Sequence, residues 1–98
     1  MEAAAGRAAR LLRLMGHDGR LMVLCHLMQG ERTVGALEAR LGLSQSALSQ
    51  HLARLRADGL VTARREGLHV HYSLASDEAA AVLRTLYGLY CSGAAGPD

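Results

Sequence analysis

The chain has 98 residues and a formal net charge of +2, from 11 arginines, no lysine and nine acidic residues. Half of the residues are hydrophobic, mainly 18 leucines and 17 alanines, and this content excludes an intrinsically disordered chain. The length allows one small domain over residues 1–98. Such a chain buries only about 60–65% of its unfolded surface, so dimerisation would stabilise it. An enzyme is disfavoured because most enzymes need a larger scaffold to enclose a pocket.

The first half of the chain is predicted to be helical. Residues 2–15 favour a helix because alanines and leucines recur at helical spacing opposite the arginines. We predict that Asp18 is the N-cap of a second helix, which runs to about Met28 before a glycine. A short extended segment over 31–33 and a compact helix over 34–41 follow.

The centre of the chain predicts a helix-turn-helix followed by a β-hairpin. After a glycine that ends the third helix, Ser44 is a favourable N-cap for a fourth helix over 45–58. Residues 60–65 and 68–74 are predicted strands joined at Glu66 and Gly67. The predicted apolar face of the second strand consists of Leu68, Val70, Tyr72 and Leu74.

A last helix is predicted from Asp77, as its N-cap, to about Cys91. We expect an ordered core over about 5–91 and a frayed tail over 92–98. The predicted fold is mainly α with a β-hairpin wing: four helices, the hairpin and a fifth helix. This order is that of a winged helix-turn-helix.

Targeting and membrane segments are not indicated. Arg7, Arg10 and Arg13 interrupt the apolar residues at the amino terminus, so no signal-peptide core is present. No apolar stretch approaches the roughly 18 residues of a membrane span. We expect a cytoplasmic protein in a reducing compartment. There two free thiols are inert or redox-active rather than structural.

The fourth helix carries a candidate DNA-reading surface. On a helical wheel its leucines 48, 52 and 55 face the core, and polar side chains lie opposite. Hydroxyl, amide and guanidinium groups are those that pair with base edges or phosphates in a major groove. Any solvated helix is polar on one face, but a glycine turn before it and arginines on the hairpin after it favour DNA. The predicted contacts are Gln45, Ser46, Ser49, Gln50 and Arg54 on the helix, with Arg64 and Arg65 on the hairpin reaching phosphates.

The run LGLSQSALSQHLARLRADGLVTARREGLHVHYSL resembles the winged-helix core of the ArsR/SmtB repressors. The resemblance extends over about residues 10–91. It implies a homodimer formed by the first and last helices, which here are residues 2–15 and 77–91. Such a dimer would place two recognition helices about one DNA turn apart over an inverted repeat.

The two cysteines resemble those of a narrower subgroup, the persulfide-sensing repressors related to SqrR and BigR. The segments that carry this resemblance are LMVLCHLMQGERTVGALEARLGLSQSALSQHLARLR and LRTLYGLYC. It implies that Cys25 and Cys91 are joined by a disulfide or sulfur-chain bridge when reactive sulfur species are present. The bridged dimer would then bind its operator more weakly.

Several alternatives remain open from the sequence. Cys25 lies on an apolar helix face and would also suit simple core packing. The same thiols would serve a repressor that responds to general oxidants or to a thiophilic metal or metalloid. A small dithiol redox enzyme and a winged helix used only for protein contacts are weaker alternatives. We predict no metal site and no cofactor, because two known site types of the family lack their thiol or histidine ligands here.

Overall fold

The computed structural model describes residues 2–91, over which it contains five helices and three strands. In chain order the elements are α1 (Glu2–Met15), α2 (Asp18–Met28), β1 (Arg32–Thr33), α3 (Val34–Leu41), α4 (Gln45–Ala57), β2 (Val61–Glu66), β3 (His69–Leu74) and α5 (Asp77–Tyr90). The predicted winged helix-turn-helix is confirmed. The helix α1 begins at Glu2, before the expected start of the ordered core near residue 5. The predicted fraying of 92–98 lies outside the described residues.

Two of the predicted helix caps are wrong by one residue. The N-cap of α2 is His17, whose Nδ1 accepts a hydrogen bond from the backbone N–H of Gly19 at 3.0 Å, and not Asp18. The N-cap of α5 is Ser76, not Asp77. Both caps have extended backbone, as an N-cap requires, whereas the aspartates lie in the first helical turn, where a negative charge favours the helix dipole.

The wing belongs to a three-stranded antiparallel sheet with the order β1–β3–β2. The hairpin was predicted, but the pairing of β1 with β3 was not. Thr33 lies opposite His71 in that pair. In the hairpin, Glu66 pairs with His69, so the turn consists of Gly67 and Leu68 rather than Glu66 and Gly67. Gly67 has a φ of +63°, which a glycine adopts without strain.

The two strand boundaries of the hairpin also differ slightly from the prediction. β2 begins at Val61, since Leu60 belongs to the buried connection from α4. Leu68 was expected on the apolar face of the second strand, and this expectation is wrong. Its side chain is 95% exposed, because the tight turn removes it from the strand alternation.

Buried leucines from α2, α3 and α4 form the centre of the core. The predicted inward leucines of α4, at 48, 52 and 55, are all buried. The other members of the core are Leu14, Met15, Val23, Leu24, Leu27, Leu37, Leu60, Val61, Ala79 and Leu83. Complete burial of one such leucine contributes about 1.5–3 kcal/mol, so this cluster holds α4 firmly against the scaffold.

Several large apolar side chains remain exposed in the single chain. They lie on the two terminal helices and on α2, and they are Leu12, Met22, Tyr87, Leu89 and Tyr90. On α5 three of them, Tyr87, Leu89 and Tyr90, fall within four consecutive residues, and clustered exposed apolar side chains are typical of an association site. No helix within residues 2–91 is long and apolar enough to cross a membrane.

Candidate nucleic-acid interface

A short turn fixes the angle between α3 and α4. Gly42 ends α3 in the left-handed conformation, with φ +67°, and its N–H donates a hydrogen bond to the carbonyl of Glu38 at 3.3 Å. Two residues later Ser44 is the N-cap of α4, and its Oγ accepts a hydrogen bond from the backbone N–H of Ala47 at 3.0 Å. The predicted cap is confirmed. The start of α4 is therefore determined by local hydrogen bonds.

The outer face of α4 presents the polar side chains that the wheel predicted. The exposed members of the set are Gln45, Ser46, Ser49, Gln50 and Arg54. Arg54 Nε lies 3.8 Å from Oδ2 of Asp58, which also faces Arg10 at 3.5 Å. An exposed pair of this kind is weak, so the Arg54 guanidinium is available to another anion. These roles in DNA contact stay predictions.

A groove separates α4 from the sheet. Ser49, Ala53 and Arg56 line its helical wall, and Tyr72 of β3 lies on the other side. Arg56 was not among the predicted contacts. Arg56 is seven residues after Ser49 and three after Ala53, so the three side chains lie on one face of the helix. This spacing was the sequence signal that could have identified Arg56 as a member of the groove.

The two wing arginines, predicted together as phosphate contacts, lie on opposite faces of the sheet. Arg65 pairs with Val70 and shares its face with Ala63 and Tyr72, which is the face toward α4. Arg64 pairs with His71 on the outer face. Both side chains are exposed, but their surroundings differ.

Arg64 belongs to a polar group on the outer face, here termed the Glu31 cluster: Glu31, Arg64, Glu66, His71 and Ser73. Arg64 Nη2 and Nε donate to the two carboxylate oxygens of Glu31 at 2.7 and 3.3 Å, and Nη1 lies 3.4 Å from Glu66. The hydrogen bond from Arg64 lowers the pKa of the Glu31 carboxyl, with a smaller contribution from the Ser73 hydroxyl at 3.1 Å. Sequence reasoning missed Glu31, which is 33 positions from Arg64.

The histidine at the centre of α4 packs against α2. The rings of His17 and His51 lie 4.6 Å apart between centroids. Burial lowers the pKa of His51, and its electrostatic interactions with His17 and Arg20 lower it further. This contact joins the cap of α2 directly to α4.

The two cysteines are free and exposed, one on α2 and the other at the end of α5. Although the Cys25 side chain is exposed, partial shielding from water raises the pKa of its thiol, and a negative charge on Cys91 raises it further. Across residues 2–91 no three His, Cys, Asp or Glu side chains are grouped so as to hold a metal ion.

Known proteins of the same kind share this architecture. The profile of the bacterial regulatory protein, arsR family, matches residues 17–63. The transcriptional activator HlyU of Vibrio cholerae is 50% identical over 91 residues, which cover 93% of this chain and 84% of that protein. The chain belongs to the arsR family.

Solved structures of arsR-family regulators extend the agreement to the whole fold. Reduced HlyU from Vibrio cholerae N16961 has a TM-score of 0.89 and 50% identity, over 93% of this chain and 96% of that chain. The transcriptional repressor BigR from Xylella fastidiosa has a TM-score of 0.88 and 41% identity, over 93% of both chains. The family predicted from the sequence is thus confirmed, and the chain is a transcriptional regulator by membership.

Proposed function

We propose that this chain is a homodimeric, DNA-binding transcriptional repressor of the cytoplasm. Its Cys25 and Cys91 react with persulfides and related reactive sulfur species and become bridged. The bridged form binds its inverted-repeat operator more weakly than the reduced form. The observation that supports the sensing part is that two free thiols are exposed, one on α2 and the other at the end of α5.

The DNA-binding part is supported by the position of α4. Its polar face is exposed, its inner face is fixed by three buried leucines, and its first turn is capped by Ser44. A rigid, polar helix of this kind fits the major groove. Gln45, Ser46, Ser49, Gln50 and Arg54 are the proposed helix contacts, with Arg65 as the wing's phosphate contact. The sequence alone predicts the same role for Arg64, whose different surroundings are considered below.

Dimerisation is supported by the apolar residues left uncovered on the terminal helices. Leu12 is 57% exposed on α1, and Tyr90 is 76% exposed on α5. A second copy that covers these faces would add the apolar burial that a chain of this length needs. It would also produce the two-fold symmetry that matches an inverted repeat.

The sensing reaction is a pair of sulfur displacements. A cysteine thiolate attacks the outer sulfur of a persulfide donor, so that a protein persulfide forms and the donor leaves as its thiolate. The second cysteine thiolate then attacks Sγ of the first cysteine, the bond from Sγ to the outer sulfur breaks, a disulfide forms and hydrosulfide leaves. If a further sulfur has been transferred first, the same displacement closes a trisulfide. In either case the donor sulfur is reduced and the two protein thiols are oxidised.

The environment of Cys25 controls the rate of this reaction. Because burial raises the pKa of its thiol, little of it is thiolate at neutral pH. We expect the reaction at Cys25 to accelerate as pH rises above about 7. At neutral pH the small thiolate fraction limits the reaction of Cys25 with weak sulfur donors.

The bridge acts on DNA affinity through helix α2. Cys25 lies on α2, and α2 contacts α4 through the His17 and His51 rings. A bond from Cys25 to the end of α5 would fix α2 relative to the helix that forms the proposed dimer interface. A change in operator affinity requires that the reduced and bridged dimers hold their two α4 helices differently.

DNA binding is tested by fluorescence anisotropy with a labelled duplex of about 30 base pairs that contains an AT-rich inverted repeat. The reduced protein is expected to bind with an affinity that falls steeply as salt rises. Binding that is independent of salt, or absent at low salt, would contradict the DNA-binding proposal. A winged helix used only for protein contacts predicts that second result.

The inducer is tested by intact mass after treatment of the reduced protein with polysulfide, glutathione disulfide or hydrogen peroxide. Added sulfur masses with polysulfide alone support the persulfide proposal. Loss of two protons with every oxidant indicates a general redox switch instead. Cys91→Ser is expected to keep reduced-state DNA binding and to lose release by polysulfide, whereas unchanged release refutes the paired-thiol mechanism.

A further inference from the structure

The outer face of the wing has a feature that the proposed DNA contacts do not use. In the Glu31 cluster all three nitrogens of the Arg64 guanidinium lie within 3.4 Å of a carboxylate oxygen. Two carboxylates thus surround one guanidinium, and the His71 ring lies 3.7 Å from Glu31 and 3.4 Å from Glu66. A phosphate would have to displace both carboxylates to reach the guanidinium.

The cluster also has a definite place in the fold. Glu31 directly precedes β1, and β1 leads into α3 through Thr33, whose Oγ1 accepts a hydrogen bond from the N–H of Ala36 at 3.1 Å. Arg64 and Ser73 belong to the two strands of the wing. The carboxylate of Glu31 therefore joins the wing to the start of the helix-turn-helix.

Arg65 differs from Arg64 in its side-chain partners. It lies on the sheet face toward α4, and within residues 2–91 its side chain has no ion pair or side-chain hydrogen bond. Its charge is therefore not offset by a neighbouring carboxylate. Tyr72, on the same sheet face, borders the groove together with Ser49 of α4, so Arg65 lies on the face of the wing that is turned toward the proposed DNA-contacting helix.

We propose that Glu31 is a positioning residue that holds Arg64 as a brace between β1 and the wing, and that Arg65 alone supplies the wing's phosphate contact. This inference deepens the proposed function and rests on it for the role of Arg65. The bidentate geometry is the reason that the brace needs arginine, because a lysine ammonium would satisfy one oxygen of Glu31 and leave the other.

The brace is tested in the free protein by amide hydrogen exchange. Glu31→Gln and Arg64→Gln are each expected to accelerate exchange in β1 and β3 by about two- to fivefold, as for the loss of an exposed ion pair. The double variant should accelerate exchange by less than the product of the two single accelerations, because both changes remove the Arg64–Glu31 pair while Arg64→Gln also removes the pair with Glu66. Arg64→Lys should also exchange faster, whereas Arg65→Gln should match the parent chain.

The division of roles is tested by the salt dependence of binding to the same labelled duplex. Arg65→Gln is expected to lower the slope of log affinity against log salt by about 0.9 for each protomer that loses a phosphate contact. Arg64→Gln should leave the slope within about 0.3 of the parent value, the expectation for a residue without a phosphate contact. Arg84→Gln, on α5, is the matched control for a surface arginine outside α4 and the wing.

Two results would overturn the inference. If Arg64→Gln lowers the salt slope as much as Arg65→Gln, Arg64 leaves Glu31 and contacts phosphate in the complex. If Glu31→Gln leaves exchange in β1 and β3 unchanged, the brace does not exist. Absence of salt-dependent binding by the parent chain refutes the proposed function and the role of Arg65, while the exchange measurement still decides the brace by itself.

Discussion

The contact between α2 and α4 makes one substitution unusually informative. Gly19 is buried in the first turn of α2, and a Cβ built there would lie 2.6 Å from Nε2 and 3.0 Å from Cδ2 of His51. It would also lie 3.3 Å from Cε1 of His17. Since the two rings already pack on each other, neither can move away from the new methyl group without losing that contact.

Two effects of opposite sign determine the result of Gly19→Ala. Alanine is favoured over glycine in a helix by about 0.5–1 kcal/mol. Overpacking at a filled site costs about 1–3 kcal/mol. We therefore expect Gly19→Ala to lower the free energy of unfolding by about 0.5–2 kcal/mol, although the same change in an open helix would raise it.

The chain contains a matched control for this reasoning. Gly6 lies in α1, and a Cβ there has no neighbouring atom within 4 Å. Gly6→Ala should stabilise by about 0.5–1 kcal/mol. In a His51→Ala background, Gly19→Ala should also become stabilising, because the blocking ring is gone. The measurement is urea unfolding followed by far-UV circular dichroism at one fixed protein concentration, since dimerisation makes stability depend on concentration. Should Gly19→Ala stabilise the parent chain as much as Gly6→Ala does, the inferred packing of His51 is refuted.

Three further outcomes are expected. Since burial lowers the pKa of folded His51 below its ordinary 6.5, stability is retained above about pH 6.5 and falls as pH drops below it. Measured as Tm against pH, the decrease below pH 6.5 should be smaller for His51→Gln than for the parent chain. An equal decrease in both would contradict this. Leu52→Ala should cost about 2–5 kcal/mol in urea unfolding, whereas Leu68→Ala at the exposed wing tip should change stability by less than about 0.5 kcal/mol. Ser44→Ala and Ser76→Ala should each lower the free energy of unfolding by about 1 kcal/mol. Only Ser44→Ala, which removes the cap of α4, should weaken binding to the duplex, as measured by anisotropy. Equal weakening by both would show that the effect is global.

Local signals were sufficient to predict the order of the elements. Periodic leucines, the glycine at 42 and the serine at 44 each act within a few residues, and the structure retains all of them. The errors in the caps have the same local character. His17 and Ser76 precede aspartates that are themselves favourable caps, and only the backbone angles decide which residue is extended.

Contacts between distant segments were not predictable in the same way. The pairing of β1 with β3 and the contact of Glu31 with Arg64 join residues far apart in the chain. The periodic pattern of apolar residues gives no information about which distant residues will be partners. The polar face of α4 was predicted because it follows from one helix alone. The separation of Arg64 and Arg65 onto two faces follows from strand alternation, but their different neighbours required the fold.

The sheet order also bears on how the chain avoids self-association through its strands. β2 pairs on one side with β3 and, within residues 2–91, has no strand on its other side, so a row of backbone groups there is open to another strand. A six-residue open edge of this kind invites addition of a foreign chain and the growth of aggregates. Three consecutive charged residues, Arg64, Arg65 and Glu66, occupy its outer half. A strand that approached this edge would have to desolvate those charges, so the residues that position the wing also protect the protein from fibrillar assembly.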